Sequence, residues 1–250
     1  MPVLAVIPAR LGSTRLARKP LQLLGGVPLI VRVVERVLGF GLADAVVVAT
    51  DAEEVVAAVS GTGVAVAMTD PELASGTDRV AAVAAMPGYG ASEIVVNVQG
   101  DEPFLPREAF AGAVGRVRAG FDIGTAAVPL DPAFAGDPGR VKVVTDRTGR
   151  ALYFSRAVIP HWRDPGPPAE GTYWQHLGIY ALGRGALARW GALSPTRLEL
   201  AERLEQLRAL EHGLSIGVAR LSEPAPPGID TPDDLRRAEA LWNASLEGAR

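Results

Sequence analysis

Positive charge gathers near the start of the chain at a density that asks for a partner. Arg10, Arg15, Arg18 and Lys19 fall within one short stretch, with Gly12, Ser13 and Thr14 among them and no acid. Cations so placed repel one another unless a polyanion or nearby carboxylates neutralise them. Arginine forks and a lysine point charge, set around small residues that let a backbone come close, suit a triphosphate cradle. A solvated basic loop is the plainer reading. Charge of the opposite sign appears at Asp101-Glu102, straight after an apolar run. Mg²⁺ is held by one or two carboxylates plus phosphate oxygens, so this pair reads as a metal site. Its rival is an acid pair serving a helix that starts near Pro106. Asp230 stands just before Thr231-Pro232, which already supply a helix cap and first position, so the cap does not need it.

Among the 25 basic residues only two are lysines, Lys19 and Lys142. A lysine is a flexible point charge and an arginine a planar fork, so the two are not interchangeable as phosphate ligands. The net charge of -3 makes the basic loop a local feature and argues against a nucleic-acid partner. The absence of cysteine fits a reducing cytoplasm and excludes thiolate chemistry. No run approaches the length of a membrane span, and residues 1–8 lack the pattern of a signal peptide, so no membrane partner is expected.

These groups need elements to place them. Val3 to Ile7 reads as a strand buried on both faces of a parallel sheet, and ligands gather at the carboxyl ends of such strands. A helix opened by Pro28, a strand at 45–49, a helix at 52–59 and a strand at 64–68 continue a doubly wound β-α-β pattern. Ser75-Gly76-Thr77-Asp78-Arg79 reads as a polar loop before a helix at 80–86. It suits a nucleotide contact, and Ser75 or Thr77 suits a plain N-cap equally well. A strand at 94–98 leads to Gln99 and the acids, followed by a helix at 106–119 and a strand at 121–129. Residues 141–154 read as a hairpin that breaks the parallel pattern. One strand over 175–182 would put His176 and Tyr180 on a shared face. One helix from 196 would bury Leu200, Leu204, Leu207 and Leu210, with Glu205 and Gln206 at its flank. No boundary divides the chain, so 1–250 is expected to be a single domain. The run 183–188 matches a dinucleotide fingerprint after a strand, but a chain this rich in Gly and Ala produces such matches by chance.

Taken in order, "IPARLGSTRLARKPL" (7–21), "SGTDR" (75–79), "NVQGDEP" (97–103), "VKVV" (141–144), "LYFSR" (152–156), "HLGIY" (176–180), "LEQLR" (204–208) and "GIDTPDDL" (228–235) closely resemble the 3-deoxy-manno-octulosonate cytidylyltransferases, or CMP-Kdo synthetases. The resemblance implies a Rossmann-like doubly wound mixed α/β sheet of the nucleotide-diphospho-sugar transferase type, with an antiparallel dimerisation excursion at about 141–182. It implies that CTP and Kdo give CMP-Kdo and pyrophosphate with Mg²⁺, in a cytoplasmic homodimer that supplies lipopolysaccharide synthesis. Carried over by position, Arg10, Arg15, Lys19 and Asp101 are the catalytic set. Ser75, Gly76 and Arg79 join them on the nucleotide, where Gly12 and Ser13 are read from the loop itself as letting the backbone approach. Arg15, Gln99, Arg156, His176, Tyr180, Glu205 and Gln206 fall to the sugar acid, and Asp101 and Asp230 to the metal. Asp101 and Asp230, with no local task, would then repel each other unless a cation lay between them. The chain departs from the family pattern at Ala17-Arg18, where Pro-Gly is usual, and at Leu73, where His is usual. Another sugar acid (sialic acid or amino-Kdo), or a silent nucleotide-sugar binding protein, stands as the alternative.

Overall fold

The computed structural model describes residues 1–13, 15–73 and 75–247, so Thr14 of the basic loop lies outside the described residues. The chain forms two compact units, Met1–Leu105 with Pro226–Arg250, and Pro106–Ala225.

The first unit opens with β1 (Val3–Ala9), in which Leu4, Ala5, Val6 and Ile7 are fully buried. A small hairpin, β2 (Leu23–Leu24) and β3 (Val27–Pro28), leads into α1 (Leu29–Phe40). Its apolar stripe of Leu29, Val33, Val34 and Val37 is buried, and Gly41 ends it in the left-handed conformation that glycine adopts freely. Then come β4 (Ala45–Thr50), α2 (Glu53–Val59), β5 (Ala65–Met68), α3 (Gly76–Ala84) and β6 (Ile94–Val98). The strands run parallel in the order β5-β4-β1-β6. Because β1 has a neighbour on each edge and no face in water, an unbroken apolar run is what it requires. One boundary differs from expectation. Ser75 and Asp78 form a reciprocal capping box, so residues 76–79 are the first turn of α3 and not a loop before it.

The second unit begins with α4 (Arg107–Arg118) and β7 (Ile123–Pro129). The antiparallel hairpin of β8 (Lys142–Thr145) and β9 (Ala151–Ser155) follows as expected. Next are β10 (Trp174–His176), β11 (Ile179–Gly183), α5 (Arg184–Trp190), α6 (Arg197–Glu202), α7 (Gln206–Glu211) and β12 (Ile216–Arg220). β7 is the axis of this unit: β12 pairs with it in parallel, and β10 and β11 pair with it antiparallel. β10 carries β8 in turn, and α4 packs on β7, β11 and β12.

Two expected elements are each split. The strand over 175–182 breaks at Leu177-Gly178, where Ile179 N donates back to Leu177 O at 2.8 Å and interrupts the ladder. The helix from 196 breaks at Arg203, whose φ of 54° is left-handed. Leu204 is buried beyond the break, while Leu200 is left 65% exposed, so the leucine spacing does not describe one face. Arg208 spans the break by gripping Glu199 through Nε and Nη2.

The chain returns to the first unit with α8 (Pro232–Glu247). Thr231 caps it as expected, and the Asp234 carboxylate accepts both the Thr231 N–H and its hydroxyl. Among the described residues, no helix is long and apolar enough to cross a membrane.

Candidate active site

Lys19 is the pivot of the charged cluster in the first unit. It opens a single 3-10 turn, Lys19–Leu21, in which buried Pro20 fixes the backbone. Its Nζ lies 2.5 Å from Asp101 Oδ2 and 2.9 Å from Asp230 Oδ1, and Arg15 reaches the other Asp230 oxygen at 3.1 Å. Burial works against the ammonium's charge, but the two carboxylates outweigh it and raise the Lys19 pKa. Residues far apart in the chain thus meet at one cationic centre. The expected repulsion between Asp101 and Asp230 does not arise, because the Lys19 ammonium already lies between them. Converting either acid to an amide removes an attraction instead of relieving a repulsion.

What brings Asp101 there escaped the reading of the sequence. A Cβ on Gly100 would lie 2.8 Å from the Pro8 carbonyl, so only glycine lets the turn after β6 close onto the end of β1. Ile229 N donates to Asp101 O at 2.9 Å, which ties the Asp230 segment to the same turn. A Cβ on Gly228 would meet the Glu102 carboxylate at 3.1 Å. The available signal was a glycine just ahead of each acid, in Gly100-Asp101 and Gly228-Ile229-Asp230. Glu102 lies ahead of the next helix and not within its first turn. It is 8% exposed, and α4 starts at Arg107 with Glu108 as its first-turn acid.

The rest of the basic loop is less engaged. Arg10 is exposed at the end of β1. A Cβ on Gly12 would meet nothing within 4 Å, and Ser13 Oγ accepts from Leu16 N at 3.4 Å. Arg18 pairs with Glu54 at 3.6 Å with both side chains more than half exposed, which is the solvated surface charge of the plainer reading. At the other strand-to-helix junction Ser75 is the cap, and a Cβ on Gly76 would meet the Pro8 ring at 3.5 Å. Arg79 is 2% exposed and binds Asp51 at 3.0 Å and the Thr69 hydroxyl, which makes it a buried brace beneath that junction. Gln99 is half-buried, and its carbonyl accepts from Glu102 N.

Sugar-acid candidates cluster in the second unit. His176 Nε2 is 2.9 Å from Thr125 Oγ1, whose hydroxyl donates to Ile179 O at 2.7 Å. The hydroxyl proton is thereby spent, so Nε2 carries the imidazole proton and Nδ1 is an acceptor. Burial lowers the His176 pKa to about 3, so the ring is neutral. Its centroid is 5.3 Å from that of Tyr180, so the two rings are neighbours although the strand between them is broken. Arg156 Nε donates to Glu202 O, Nη1 to Pro138 O and Nη2 to Arg203 O. The carbonyls of 202 and 203 are available because the helix breaks there. Gln206 is buried at the start of α7, with Glu205 just ahead of it.

A hard divalent cation fits the first-unit acids. Carboxylate oxygens from Asp101 and Asp230 converge on one positive centre, and oxygen is the donor such a cation prefers. Among the described residues, no three side chains of His, Cys, Asp or Glu gather as a complete cage. Mg²⁺ does not require one, since phosphate oxygens and water complete its shell.

Residues 4–216 match the family described as "Cytidylyltransferase". The chain is 55% identical to the 3-deoxy-manno-octulosonate cytidylyltransferase of Gemmatimonas aurantiaca over 246 residues, 97% of this chain and 95% of that one. It is 48% identical to that of Xanthomonas campestris over 247 residues, 95% of this chain and 98% of that one. Among solved structures, CMP:2-keto-3-deoxy-manno-octonic acid synthetase complexed with CTP superposes with a TM-score of 0.88 at 35% identity, covering 98% of this chain and all of that one. A putative glucose-1-phosphate thymidylyltransferase from Bacillus anthracis, at 16% identity and a TM-score of 0.67, shares the fold.

Proposed function

The chain belongs to the 3-deoxy-manno-octulosonate cytidylyltransferases, nucleotidyltransferases that join CTP and Kdo into CMP-Kdo and pyrophosphate for lipopolysaccharide biosynthesis, and from that premise we propose how its residues divide the work. Its mixed α/β architecture with an antiparallel excursion is that of the nucleotide-diphospho-sugar transferases. The anomeric hydroxyl of the sugar acid attacks the α-phosphorus of CTP in line, forming one P–O bond as the bond to pyrophosphate breaks. Such a transfer needs charge neutralisation and alignment more than covalent catalysis.

Arg10, Arg15 and Lys19 hold the triphosphate, with Gly12 and Ser13 giving backbone access. Ser75 and Gly76 line the cytidine side, and Arg79 braces that wall from beneath. Asp101 and Asp230 would hold Mg²⁺, which would supply Lewis acidity and ease ionisation of the attacking hydroxyl. On the sugar side Arg156 takes the carboxylate. The neutral His176 accepts a hydrogen bond from a sugar hydroxyl at Nδ1, and Gln99, Tyr180, Glu205 and Gln206 complete the polar lining. Residues 1–250 work as a single nucleotidyltransferase domain, in a cytoplasmic homodimer built partly through 141–182.

The observation that supports this division most is the Lys19 ammonium set between Asp101 and Asp230, a point where phosphate charge and metal charge are both handled. The test is pyrophosphate release over a panel of nucleotides and sugar acids. CTP with Kdo should outrun ATP, GTP or UTP with Kdo, and CTP with sialic acid. Equal turnover with sialic acid would overturn Kdo as substrate, and no turnover with any pair would favour a silent nucleotide-sugar binder.

A further inference from the structure

Lys142, one of the chain's two lysines, is fully buried, an unusual place for an ammonium. It heads β8, paired with Ser155 on one strand and Gln175 on another. Desolvation is the largest influence on its pKa and lowers it, opposed by Asp137 and Glu202 and reinforced by Arg156. Its Nζ donates to two backbone carbonyls, Asp137 O at 3.0 Å and Arg156 O at 2.7 Å. Arg156 Nη1 donates to the next carbonyl of that same turn, Pro138 O, at 2.8 Å. The contacts close a ring: Lys142 holds the Arg156 backbone, and it also holds the turn on which the Arg156 guanidinium rests. Glu202 completes the frame, accepting from Ser155 Oγ at 2.5 Å and Arg156 N at 2.9 Å. A guanidinium has five N–H donors, and three of those on Arg156 go to carbonyls. One N–H on each terminal nitrogen is left, the pair that meets a carboxylate end-on.

We infer that Lys142 is a positioning residue for recognition of the sugar acid, fixing Arg156 so that its two remaining N–H groups face the substrate carboxylate. The inference rests on the reading of Arg156 as the residue that takes that carboxylate. If packing alone were needed at this buried site, methionine would fill it without the desolvation cost of a charge. What methionine lacks is a donor that reaches two carbonyls at once. Without it the frame keeps its strands, and the fork loses its aim.

The test is a kinetic double-mutant cycle of Lys142→Met and Arg156→Lys, with KM measured separately for Kdo and CTP. Lys142→Met is expected to raise the Kdo KM about tenfold or more, the order of cost of a small misplacement, with the CTP KM unchanged. In the Arg156→Lys background it should add nothing, because it acts through Arg156. Equal rises in both KM values, or independent effects in the double mutant, overturn the inference. If Arg156→Lys raises the Kdo KM and Lys142→Met does not, the inference fails while the reading of Arg156 stands. If Arg156→Lys leaves the Kdo KM unchanged, that reading fails and the inference with it. Should Lys142→Met not fold, Lys142→Arg gives the same readout, because its wider fork keeps the charge but does not seat between both carbonyls.

Discussion

Replacing Lys19 with Arg keeps the charge but exchanges a point for a plane. The ammonium touches one oxygen from each of Asp101 and Asp230, and a guanidinium at that depth spreads its donors away from them. Lys19→Arg should therefore lower kcat by about tenfold or more with less change in the Kdo KM, read from initial rates. Near-normal turnover would reduce Lys19 to a surface charge. His176 makes a prediction about acid. Its folded pKa of about 3 lies below the usual histidine value, so the unfolded chain takes up a proton that the folded chain refuses. The stability this represents is complete above the ordinary histidine pKa and is lost as pH falls toward the folded value. Wild type should lose melting temperature between about pH 6.5 and 4.5 more steeply than His176→Gln, because the variant lacks the buried ring that takes up a proton on unfolding. Equal slopes would mean that water or a rearrangement lets the imidazole ionise in place.

At the scale of elements, glycines set where the acids stand. Gly100→Ala pushes a methyl against the Pro8 carbonyl and should cost about 1–3 kcal/mol in urea melts, with activity falling further because Asp101 moves. Gly12→Ala meets open space and should leave stability within about 0.5 kcal/mol. If Gly100→Ala proves as mild as Gly12→Ala, the close approach is not what holds the turn. The contrast also marks what a sequence discloses. β1, β4 and β6 were legible because buried parallel strands are mostly apolar, β5 because its short apolar run continues the β-α-β alternation although it is a half-exposed edge strand, and α1 because Pro28 and Gly41 bracket its stripe. Lys19 and the hairpin were legible from residue type and spacing. The break at Arg203 was not, because arginine is a good helix former and no local signal marks its left-handed backbone; at Leu177-Gly178 the glycine was a signal, and it was passed over inside an apolar run. Gly100 was passed over because its demand is a distance to a carbonyl ninety-odd residues away, and no local pattern carries that.

For the whole molecule, the second unit offers a surface on which two copies could meet. β9 ends the run of paired strands, with Leu152 60% exposed upon it and Val158 40% exposed just beyond. Uncovered strand edges with apolar side chains are what a symmetry mate covers. Light scattering at micromolar concentration should give about twice the 26.1 kDa chain mass, and Leu152→Glu should shift it toward the monomer. A monomeric wild type would remove the dimer from the proposal. On the proposed division of work, the Lys19 bridge would finally govern the timing of turnover. While the ammonium occupies the gap between Asp101 and Asp230, a divalent ion arriving alone must compete with a charge the protein supplies for itself. A triphosphate arriving with the ion would draw Lys19 to its own oxygens and leave Asp101 and Asp230 to the ion. The free enzyme should consequently take up Mn²⁺ weakly and in step with nucleotide. Lys19→Met should bind Mn²⁺ about tenfold or more tightly without nucleotide, although it cannot turn over, as paramagnetic resonance of the free ion would record. Equal uptake by both proteins would show that the lysine does not guard the site, and the enzyme could then be charged with metal before any substrate arrives.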